Sequence, residues 1–449
     1  MTSFVSRELE GWGRFPTQTC RVARPEKRRA VGTAALNNDV PNIIARGLGR
    51  AYGDAALNEN SGVLLNEKLG RFLHFDEQSG ILHAEAGASF ADILQTFVPR
   101  GWFLPVVPGT KFVTLGGAIA CDVHGKNHHR DGCLSNFIEE VELLTANGQT
   151  RRLTKESPDE FWATAGGTGL TGVILSAKVR LVPIESAQIA TTYTRTQNLD
   201  ETLAAFGTDD RFQYSVAWID CLASGANLGR SVLIRGNHAN KNELKSDNPL
   251  EFSEPRGKKV PLDFPDGALN PLSVKAFNAL YYAAHPDAQK LVGFEPFFWP
   301  LDAVSGWNKI YGARGFIQYQ CVLPFETSHR GLVKLLETIS QSGQASFLAV
   351  LKTFGPSTPS PLGFPLPGHT LALDIPAGEN IVEFARALDA IVIDHGGRVY
   401  LAKDATLEAT TFRKMYPRHA EFEAVKLSLD PQNRFQSSLS RRLQIGGGN

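Results

Sequence analysis

The chain has few cysteines, and none of them forms a pair at a metal-binding or redox spacing. Its five cysteines are spread from Cys20 to Cys321 along 449 residues and include no CxxC motif. This pattern indicates neither a zinc site nor a disulfide framework, and we predict that the protein binds no metal. A reducing compartment is the simpler environment for such a chain.

Long apolar runs are also missing from the sequence. No segment approaches the ~18 consecutive apolar residues of a membrane span, because even the apolar stretch 172–183 is interrupted by Lys178 and Arg180. Residues 1–15 mix charged and aromatic side chains without an apolar core, so we expect no signal peptide. These absences predict a cytoplasmic protein without a transmembrane helix.

The chain lacks an excess of charge of either sign. Lys and Arg together number 46, and Asp and Glu together also number 46. Proteins whose main partner is a nucleic acid usually have a basic surface, so we expect no nucleic-acid partner. Hydrophobic residues make up 42% of the chain, which is typical of a globular protein and excludes global disorder. At about 150 residues per domain, the length predicts two to three domains.

Glycine, in contrast, is abundant, and 42 of the 449 residues (about 9%) are glycine. The run Gly167-Thr-Gly-Leu-Thr-Gly172 matches the pattern GxGxxG, but it follows a predicted helix (158–164) and precedes a predicted strand (173–182). A dinucleotide-binding fingerprint requires the opposite order, with the strand first and the helix second. We therefore favour a tight turn after a helix over a Rossmann fold.

The segment Arg46-Gly-Leu-Gly-Arg-Ala-Tyr-Gly-Asp54 has a composition suited to anion binding. Its glycines let backbone N–H groups approach an anion closely, and Arg46 and Arg50 add positive charge. A solvated surface turn is the alternative interpretation. Further small-residue clusters follow at 108–110, 114–120 and 124–125, and several such loops together favour an extended cofactor threaded between them. No GxxxxGK[ST] motif occurs, which excludes a P-loop NTPase on motif grounds.

Local patterns divide the chain into three parts. Residues 1–186 contain hairpin signals at 72–86 and 136–154 and a helix signal that begins at Ser89. Residues 398–449 again mix strand and helix patterns, and we expect them to return to the first domain.

The middle part, residues 187–397, predicts an antiparallel sheet with two covering helices. Its strands are predicted at 212–220, 230–235, 315–323 and 346–354, and its helices at 330–342 and 379–395. The segment 247–286 is rich in proline, glycine and charged residues, which predicts a long mobile excursion.

The glycine clusters resemble a known family. Residues 46–54, Pro108-Gly-Thr110 and Thr114-Leu-Gly-Gly-Ala-Ile-Ala-Cys-Asp-Val-His-Gly-Lys-Asn-His-His129 resemble the PCMH-type FAD-binding domain of the vanillyl-alcohol-oxidase superfamily. More narrowly, the sequence is similar to the decaprenylphosphoryl-β-D-ribose 2′-oxidase family over nearly its whole length, including the Gln-Tyr-Gln string 318–320. The resemblance implies an α+β fold of two domains, in which a discontinuous FAD domain adjoins an antiparallel-sheet substrate domain.

The resemblance also implies FAD as the cofactor. In many members of the superfamily, a histidine in the first glycine loop binds the flavin covalently. Arg50 stands at that position and cannot form this bond, so we expect non-covalent FAD. The positions that match the family's cofactor-binding residues are Ala45, Arg46, Gly47, Leu48, Gly49, Arg50, Ala51, Tyr52, Gly53, Asp54, Gly109, Thr110, Thr114, Gly116, Gly117, Cys121, Asp122, His124, Gly125, Asn127, Gly169, Ile174 and Tyr400.

The family's reaction, oxidation of a secondary alcohol, needs groups that position the alcohol and stabilise developing negative charge. Gln318 and Gln320 lie two residues apart on a predicted strand, so both side chains face the same side. A ligand-facing role competes there with a solvent-facing strand edge. Together with the resemblance, these arguments give an expected catalytic set of Lys403, Gln320, Gln318, Tyr52 and His124.

The expected substrate-binding residues are Lys352, Lys126, Trp218, Phe298, Thr370 and Ala372. Lys352 lies in an otherwise apolar strand, where an unpaired charge is costly, so we expect it to meet a carboxylate or a substrate phosphate. Core burial is the alternative for Trp218 and Phe298. Thr370 and Ala372 stand where the family pattern has Asn and Cys, so thiol reagents are not expected to block this pocket.

The resemblance implies that the 2′-hydroxyl of a polyprenylphosphoryl-β-D-ribose is oxidised to a 2′-keto sugar. A separate NAD(P)H-dependent short-chain reductase would then complete epimerisation to the arabinose lipid. The alternatives are an oxidase of a soluble sugar, alditol or aldonolactone, and a non-catalytic protein that binds lipid-linked sugars. We also expect Arg256-Gly-Lys-Lys259 and the apolar segment 277–284 to contact the inner face of the membrane, with a solvated loop as the alternative.

Overall fold

A computed structural model of the chain describes residues 3–207, 211–253, 257–265, 267–344 and 346–447. The helices of the first part are α1 (Arg28–Ala35), α2 (Phe90–Phe97), α3 (Leu115–Ala120), α4 (His128–Asp131) and α5 (Pro158–Thr164). Its strands are β1 (Val5–Glu10), β2 (Thr17–Ala23), β3 (Ile43–Arg46), β4 (Gly62–Leu65), β5 (Phe72–Asp76), β6 (Ile81–Glu85), β7 (Trp102–Phe103), β8 (Ile138–Leu144), β9 (Thr150–Leu153), β10 (Val173–Arg180) and β11 (Val182–Pro183).

The strands of the first part form two sheets in the orders β1-β2-β4-β3 and β5-β6-β10-β8-β9. Both hairpins that the sequence predicts are confirmed, and their turns use glycines in the left-handed region, Gly80 (φ +71) and Gly148 (φ +81). The helix predicted from Ser89 is confirmed too, because the Ser89 hydroxyl accepts the Asp92 N–H and caps α2.

The remaining elements follow in chain order. The strands are β12 (Gln188–Thr196), β13 (Tyr214–Ile219), β14 (Ser231–His238), β15 (Lys258–Lys259), β16 (Ala288–Gly293), β17 (Val304–Ser305), β18 (Phe316–Pro324), β19 (Ala349–Phe354), β20 (Gly368–Pro376) and β21 (Arg398–Val399). The helices are α6 (Leu199–Gly207), α7 (Pro271–Ala284), α8 (Phe294–Phe298), α9 (Phe325–Ser342), α10 (Ile381–Asp394), α11 (Ala409–Met415), α12 (His419–Leu429) and α13 (Ser438–Arg442).

A large antiparallel sheet with the order β16-β12-β14-β13-β19-β20-β18-β21 dominates the second part. The face of this sheet that is turned away from the first domain packs on α9 and α10 through a continuous apolar core, which includes Leu335 and Leu388 from the helices. Tyr319 points to that face, where its hydroxyl donates to Asp389 of α10. Because side chains alternate along a strand, Gln318 and Gln320 point to the opposite face, which is turned towards the first domain.

The segment 247–286, for which the composition predicts a long mobile excursion, contains regular structure. It contains the 14-residue helix α7, which begins where the Asn270 side chain accepts the N–H groups of Leu272 and Ser273. Arg256, the first residue of the predicted basic run, lies outside the described residues, whereas Lys258 and Lys259 form β15 and pair with β17. The composition of the segment did not predict this capped helix.

The C-terminal segment packs against the first part of the chain. The Ile43 N–H donates to the Arg434 carbonyl, and the Gln436 N–H donates back to Ile43. Arg442 forms an ion pair with Asp54 at 2.7 Å. These contacts support the expected return of the chain to the first domain, and the division at 186 and 397 stays a prediction. Within the described ranges, no helix is both long and apolar enough to cross a membrane.

Candidate active site

A deep cavity lies between the glycine loops of the first part and the inner face of the large sheet. Residues from four segments of the first part line it: 45–52, 107–110, 113–126 and 168–174. The sheet contributes side chains from β13, β14, β18, β19 and β20, and the turn after β21 contributes Lys403. The sequence-predicted residues that line the cavity are Ala45, Arg46, Gly47, Leu48, Gly49, Arg50, Ala51, Tyr52, Gly109, Thr110, Thr114, Gly116, Gly117, Cys121, His124, Gly125, Lys126, Gly169, Ile174, Trp218, Phe298, Gln318, Gln320, Lys352, Ala372, Tyr400 and Lys403.

The first glycine loop is held open by close backbone packing. A Cβ on Gly47 would lie 2.2 Å from the Thr114 hydroxyl oxygen, and Gly49 has a φ of +66°, which favours glycine. Arg46 does not reach into the cavity as a free charge, because its guanidinium donates to the carbonyl of Glu10 at 2.6 Å. The Arg50 guanidinium instead stacks 3.9 Å above the ring centroid of Trp12.

The second glycine loop leads into α3, which Thr114 caps by accepting the Gly117 N–H at 3.2 Å. A Cβ on Gly116 would lie 2.8 Å from the Ala86 Cβ, so α3 can pack against the β6 end only with glycine there. The GxGxxG run lies between α5 and β10, which confirms that it has the helix-then-strand order and is not a Rossmann fingerprint. Thr168 and Gly169 of this run line the cavity.

The cavity walls contain buried polar atoms that no described residue partners. They include Arg50 Nε, Asn66 Oδ1, Thr168 Oγ1 and His124 Nδ1. Leaving such atoms unsatisfied is costly, so their number around one cavity indicates a polar ligand that completes their hydrogen bonds. Together with backbone loops kept free of Cβ atoms, this wall fits FAD, whose pyrophosphate and isoalloxazine supply both acceptors and donors.

Three buried lysines give the cavity a positive charge. Burial lowers the pKa of Lys126 to about 7, of Lys352 to about 8 and of Lys403 to about 7. Among the described residues, none of the three forms an ion pair with a carboxylate. The Lys403 ammonium lies 3.9 Å from the ring centroid of Tyr52, and Lys126 donates to the Phe297 carbonyl. Lys126 and Lys352, which have no carboxylate nearby among the described residues, indicate that this cavity binds an anionic ligand.

The two glutamines of β18 face the cavity, and they are not on a solvent-facing edge. Gln320 is 4% exposed, and its Nε2 lies 3.0 Å from His124 Nε2 and 3.2 Å from the Thr370 hydroxyl. Gln318 Nε2 donates to Asp374 Oδ1 at 2.6 Å. The same-side placement that the strand spacing predicts for Gln318 and Gln320 is therefore confirmed.

His124 lies in an aromatic enclosure and is neutral near pH 7. Its ring centroid is 4.7 Å from that of Phe354 and 5.1 Å from that of Tyr400, whose hydroxyl donates to the Cys121 carbonyl at 2.7 Å. Burial, with the nearby positive charge of Lys352, holds the pKa of His124 well below its usual value. The imidazole can therefore donate or accept a hydrogen bond, but it takes up a proton poorly.

Five predicted site residues do not line the cavity. Gly53 packs against the turn after β21, where a Cβ would lie 1.9 Å from the Asp404 carbonyl oxygen. Asp54 pairs with Arg442 and so joins the glycine loop to the C-terminal segment. Both residues hold the loop against the C-terminal part of the chain, where the Tyr52 N–H also donates to the Ala402 carbonyl at 3.1 Å.

The other three also act from outside the cavity. Asp122 accepts the Ser135 N–H at 3.1 Å, and Asn127 donates to the Pro105 carbonyl at 2.7 Å. Thr370 is 1% exposed and stands behind Gln320. These side chains form hydrogen bonds within the protein that support the loops and Gln320, and their contact with ligands stays a prediction.

Some cavity residues were not predicted from the sequence: Trp12, Asn66, Thr168, Asp302 and Trp307. Trp12 had a signal, since a Cβ on Gly11 would lie 2.4 Å from the Tyr52 carbonyl oxygen and one on Gly13 would lie 2.3 Å from that of Phe316. Paired glycines around a tryptophan mark a close backbone approach. Asp302, which accepts the Thr110 hydroxyl at 2.9 Å, lies in a segment without any comparable pattern.

A cationic cavity between glycine loops and an antiparallel sheet fits the cofactor site of an FAD-dependent oxidoreductase. Comparison with known families agrees. A model described as an FAD binding domain matches residues 16–154, and one described as D-arabinono-1,4-lactone oxidase matches residues 374–443.

Curated relatives narrow the family. The chain is 39% identical to the decaprenylphosphoryl-beta-D-ribose oxidase of Mycolicibacterium smegmatis over 98% of both chains. It is 32% identical to an uncharacterized protein encoded in the mprA 5′ region of Streptomyces coelicolor, over 79% of this chain and 99% of the relative. A D-lactate dehydrogenase of Anaerostipes hadrus is 21% identical over 42% of this chain and 41% of its own. The chain belongs to the decaprenylphosphoryl-β-D-ribose oxidase family.

Proposed function

We propose that this FAD-dependent enzyme oxidises the 2′-hydroxyl of a polyprenylphosphoryl-β-D-ribose to the 2′-keto sugar. The observation that carries the proposal is the pair of buried lysines, Lys126 and Lys352, which line the cavity near each other and have no carboxylate as an ion-pair partner among the described residues. A phosphodiester would supply that missing negative charge. Apolar and aromatic side chains share the cavity and suit the first isoprene units: Val216, Trp218, Tyr281, Phe298 and Trp307.

The residues around Lys403 are arranged for alcohol oxidation. When bound, FAD supplies the acceptor for the hydride that leaves the carbinol carbon. Burial lowers the pKa of Lys403 to about 7, so a large fraction of its side chain is the neutral amine at neutral pH. We assign it as the base that takes the hydroxyl proton. The resulting ammonium then stabilises the negative charge that arises beside it.

Rapid mixing of the enzyme with a short-chain prenylphosphoryl riboside, without oxygen, tests this role through bleaching of the flavin absorbance. We expect Lys403→Met to retain FAD and to slow bleaching by about 10²–10⁴-fold, the usual contribution of a general base. The exposed Lys414 provides the matched control Lys414→Met, which should bleach at the normal rate. Equal rates for the two variants would contradict the assignment.

Oxidation of a soluble sugar or aldonolactone is the second candidate. It is favoured by the D-arabinono-1,4-lactone oxidase model, whose match at 374–443 includes Asp374, Tyr400 and Lys403. The two candidates differ in what Lys126 and Lys352 bind. If an uncharged aldonolactone bleaches the flavin faster than the prenylphosphoryl riboside does, and Lys352→Gln leaves its rate unchanged, the lipid proposal is wrong.

We propose that a separate NAD(P)H-dependent reductase consumes the keto product. Oxidation of the sugar would leave the flavin reduced, and once an external electron acceptor has reoxidised it the enzyme holds no hydride to return, so epimerisation at C2′ needs a second hydride donor. Adding a short-chain reductase and NADPH to the reaction should convert the riboside into the arabinoside. Accumulation of arabinoside without the second enzyme would contradict this division of labour.

We also propose peripheral contact with the inner face of a membrane through α7. This helix exposes Leu272 (81%) and Leu280 (71%), although Tyr281 on the same helix lines the cavity. Lys258 and Lys259 lie exposed on the preceding segment. An exposed apolar face with lysines nearby suits an anionic bilayer, which could present its lipid substrate at this side of the cavity.

Co-sedimentation of the holoenzyme with phosphatidylglycerol vesicles tests the contact. The double variant Leu272→Ser, Leu280→Ser should lose most binding, and Lys258→Gln with Lys259→Gln should make the remainder insensitive to salt. Leu427 on α12 is 60% exposed and provides the control Leu427→Ser. Equal loss in the control, or equal binding to neutral phosphatidylcholine vesicles, would count against the proposal.

A further inference from the structure

The orientation of the two cavity glutamines is fixed by their hydrogen-bond partners. A carboxylate only accepts hydrogen bonds, so the group of Gln318 that faces Asp374 at 2.6 Å must be its NH2 group. The Thr370 hydroxyl gives its hydrogen to the Cys321 carbonyl at 2.8 Å, so it can only accept from Gln320. Both amides therefore turn their NH2 groups towards the protein.

The carbonyl oxygens of both amides are left for a ligand. Among the described residues, none donates a hydrogen bond to Gln318 Oε1 or Gln320 Oε1, and both residues line the cavity, with Tyr52 beside the Gln318 amide. The two residues project from one strand face about 7 Å apart. Two acceptors at this spacing can each take one hydrogen bond from a hydroxyl of the same sugar ring.

The orientation of the Gln318 amide depends on Asp374. It lies directly opposite Gln318 in the β18–β20 register and is 0% exposed. The Tyr311 hydroxyl donates to its second oxygen at 3.3 Å. Lys403 lines the same cavity as Gln318, the hydrogen-bond partner of Asp374. Burial lowers the pKa of Lys403, and the charge of Asp374 opposes that change without forming an ion pair with it.

We propose that Asp374 is a positioning residue that locks the Gln318 amide with its oxygen towards the cavity, so that Gln318 and Gln320 together accept hydrogen bonds from two hydroxyls of the sugar. The negative charge of Asp374 also favours the protonated form of Lys403. The proposal rests on the proposed function for the identity of the sugar. It adds a source of selectivity for substrates that carry a second hydroxyl beside the one oxidised.

The negative charge of Asp374 acts to raise the pKa of Lys403. The groups that face Asp374 from the surrounding elements are Lys403 after β21, Tyr52 in the glycine loop, Tyr311 before β18 and Gln318 on β18. Burial raises the pKa of Asp374 to about 7, and the lysine charge opposes that rise. Removing the carboxylate charge therefore lowers the pKa of Lys403, and the rise of the oxidation rate with pH should begin at a lower pH.

The test compares Asp374→Asn with a matched variant on the other face of the sheet. Asp389 is also buried, accepts the Tyr319 hydroxyl, and has its pKa raised to about 7, but it lies on α10 away from the cavity. In holoenzyme of equal flavin content, Asp374→Asn should move the acid limb of the pH–rate profile down by about one pH unit. Asp389→Asn should leave the limb in place. A shift in both variants or in neither would overturn the charge effect.

Asp374→Leu tests the locked amide. With the unaltered enzyme, removal of the 3′-hydroxyl from a short-chain prenylphosphoryl riboside should lower kcat/KM by about 10²-fold, because a carbonyl oxygen is left unpaired. In Asp374→Leu that penalty should fall several-fold, mainly through a higher KM for the complete riboside. Should this variant lose its FAD, Tyr311→Phe, which removes one hydrogen bond to Asp374, takes its place.

An unchanged 3′-deoxy penalty in a variant that retains FAD would overturn the locked-amide proposal. Failure of the proposed function looks different. In that case the flavin of the unaltered enzyme would stay oxidised with either riboside and would be bleached by an aldonolactone. The comparison of the Asp374 and Asp389 variants, repeated with the lactone and its deoxy analogue, would still decide the role of Asp374.

Discussion

Arg50 shows how one residue sets the mode of cofactor attachment. Its guanidinium is stacked on Trp12, and its pKa is lowered by burial while the neighbouring Asp302 opposes that change. A guanidinium at this position cannot form the histidyl bond of covalent flavoproteins. We predict that acid precipitation releases all of the flavin into the supernatant, measured by absorbance. Yellow colour retained in the washed pellet would contradict non-covalent binding.

Ala372 provides a second residue-scale prediction. It lines the cavity directly opposite Gln320 in the sheet register, so no thiol is present at that point of the substrate face. Cys121 also lines the cavity, but burial raises its pKa to about 11, and it stays an unreactive thiol near neutral pH. Iodoacetamide should therefore leave flavin bleaching unchanged.

The variant Ala372→Cys should become sensitive to iodoacetamide, with the modification located at position 372 by mass spectrometry. Substrate should protect this variant, because it covers the strand. If the unaltered enzyme loses activity through modification of Cys121, the argument from burial is wrong.

At the scale of elements, the first glycine loop depends on contacts with the C-terminal part of the chain. A Cβ on Gly53 would collide with the Asp404 backbone, whereas a Cβ on Gly32 in α1 would meet nothing within 4 Å. We predict that Gly53→Ala lowers the free energy of unfolding by about 1–3 kcal/mol and weakens FAD retention. Gly32→Ala should raise it by about 0.5–1 kcal/mol, because alanine favours the helix. Thermal unfolding followed by flavin fluorescence compares the two variants. Equal effects of Gly53→Ala and Gly32→Ala would contradict the predicted collision of a Cβ at position 53 with the Asp404 backbone.

Short sequence motifs predicted the hairpins and the helix capped by Ser89, but they did not predict β12, β16 or α7. Hairpins and capped helices follow from a few adjacent residues, such as Asn147-Gly148 or Ser89 with Asp92, so their positions could be read directly. The strands β12 and β16 were missed because they carry many polar, half-exposed residues; β16 is the edge strand and β12 lies next to it. Helix α7 was missed because its stability comes from Asn270 and from Asn278, which donates to Asp220 across the fold.

The candidate site was predictable to the extent that its residues lie in dense local motifs. The glycine loops and the Gln-Tyr-Gln strand carry their chemistry in consecutive residues. Asp374 was missed as a positioning residue because its importance arises from cross-strand pairing with Gln318, 56 residues away. Asp302 likewise becomes part of the cavity only through contact with Thr110, 192 residues away.

At the scale of the whole molecule, the net charge is zero, but positive and negative charges are distributed unevenly. The positive charge of Lys126, Lys352 and Lys403 is collected in one buried cavity, while the surface pairs many of its charges across ion pairs such as Arg24 with Glu67. The folded pKa values of these lysines lie below the ~10.4 of an unfolded lysine. The unfolded state therefore binds more protons between about pH 7 and 10, so these lysines make stability increase with pH over that window.

An anion bound beside Lys126 and Lys352 should stabilise the folded protein below about pH 8, because it favours the ammonium forms of these lysines. We predict that inorganic phosphate raises the melting temperature of the holoenzyme by on the order of a few degrees at pH 6.5, relative to chloride at equal ionic strength. The gain should vanish by pH 9, where Lys126 and Lys352, with pKa values of about 7 and 8, are neutral. Lys352→Gln should reduce the gain at pH 6.5. A phosphate effect as large at pH 9, or unaltered in that variant, would place the anion elsewhere on the molecule.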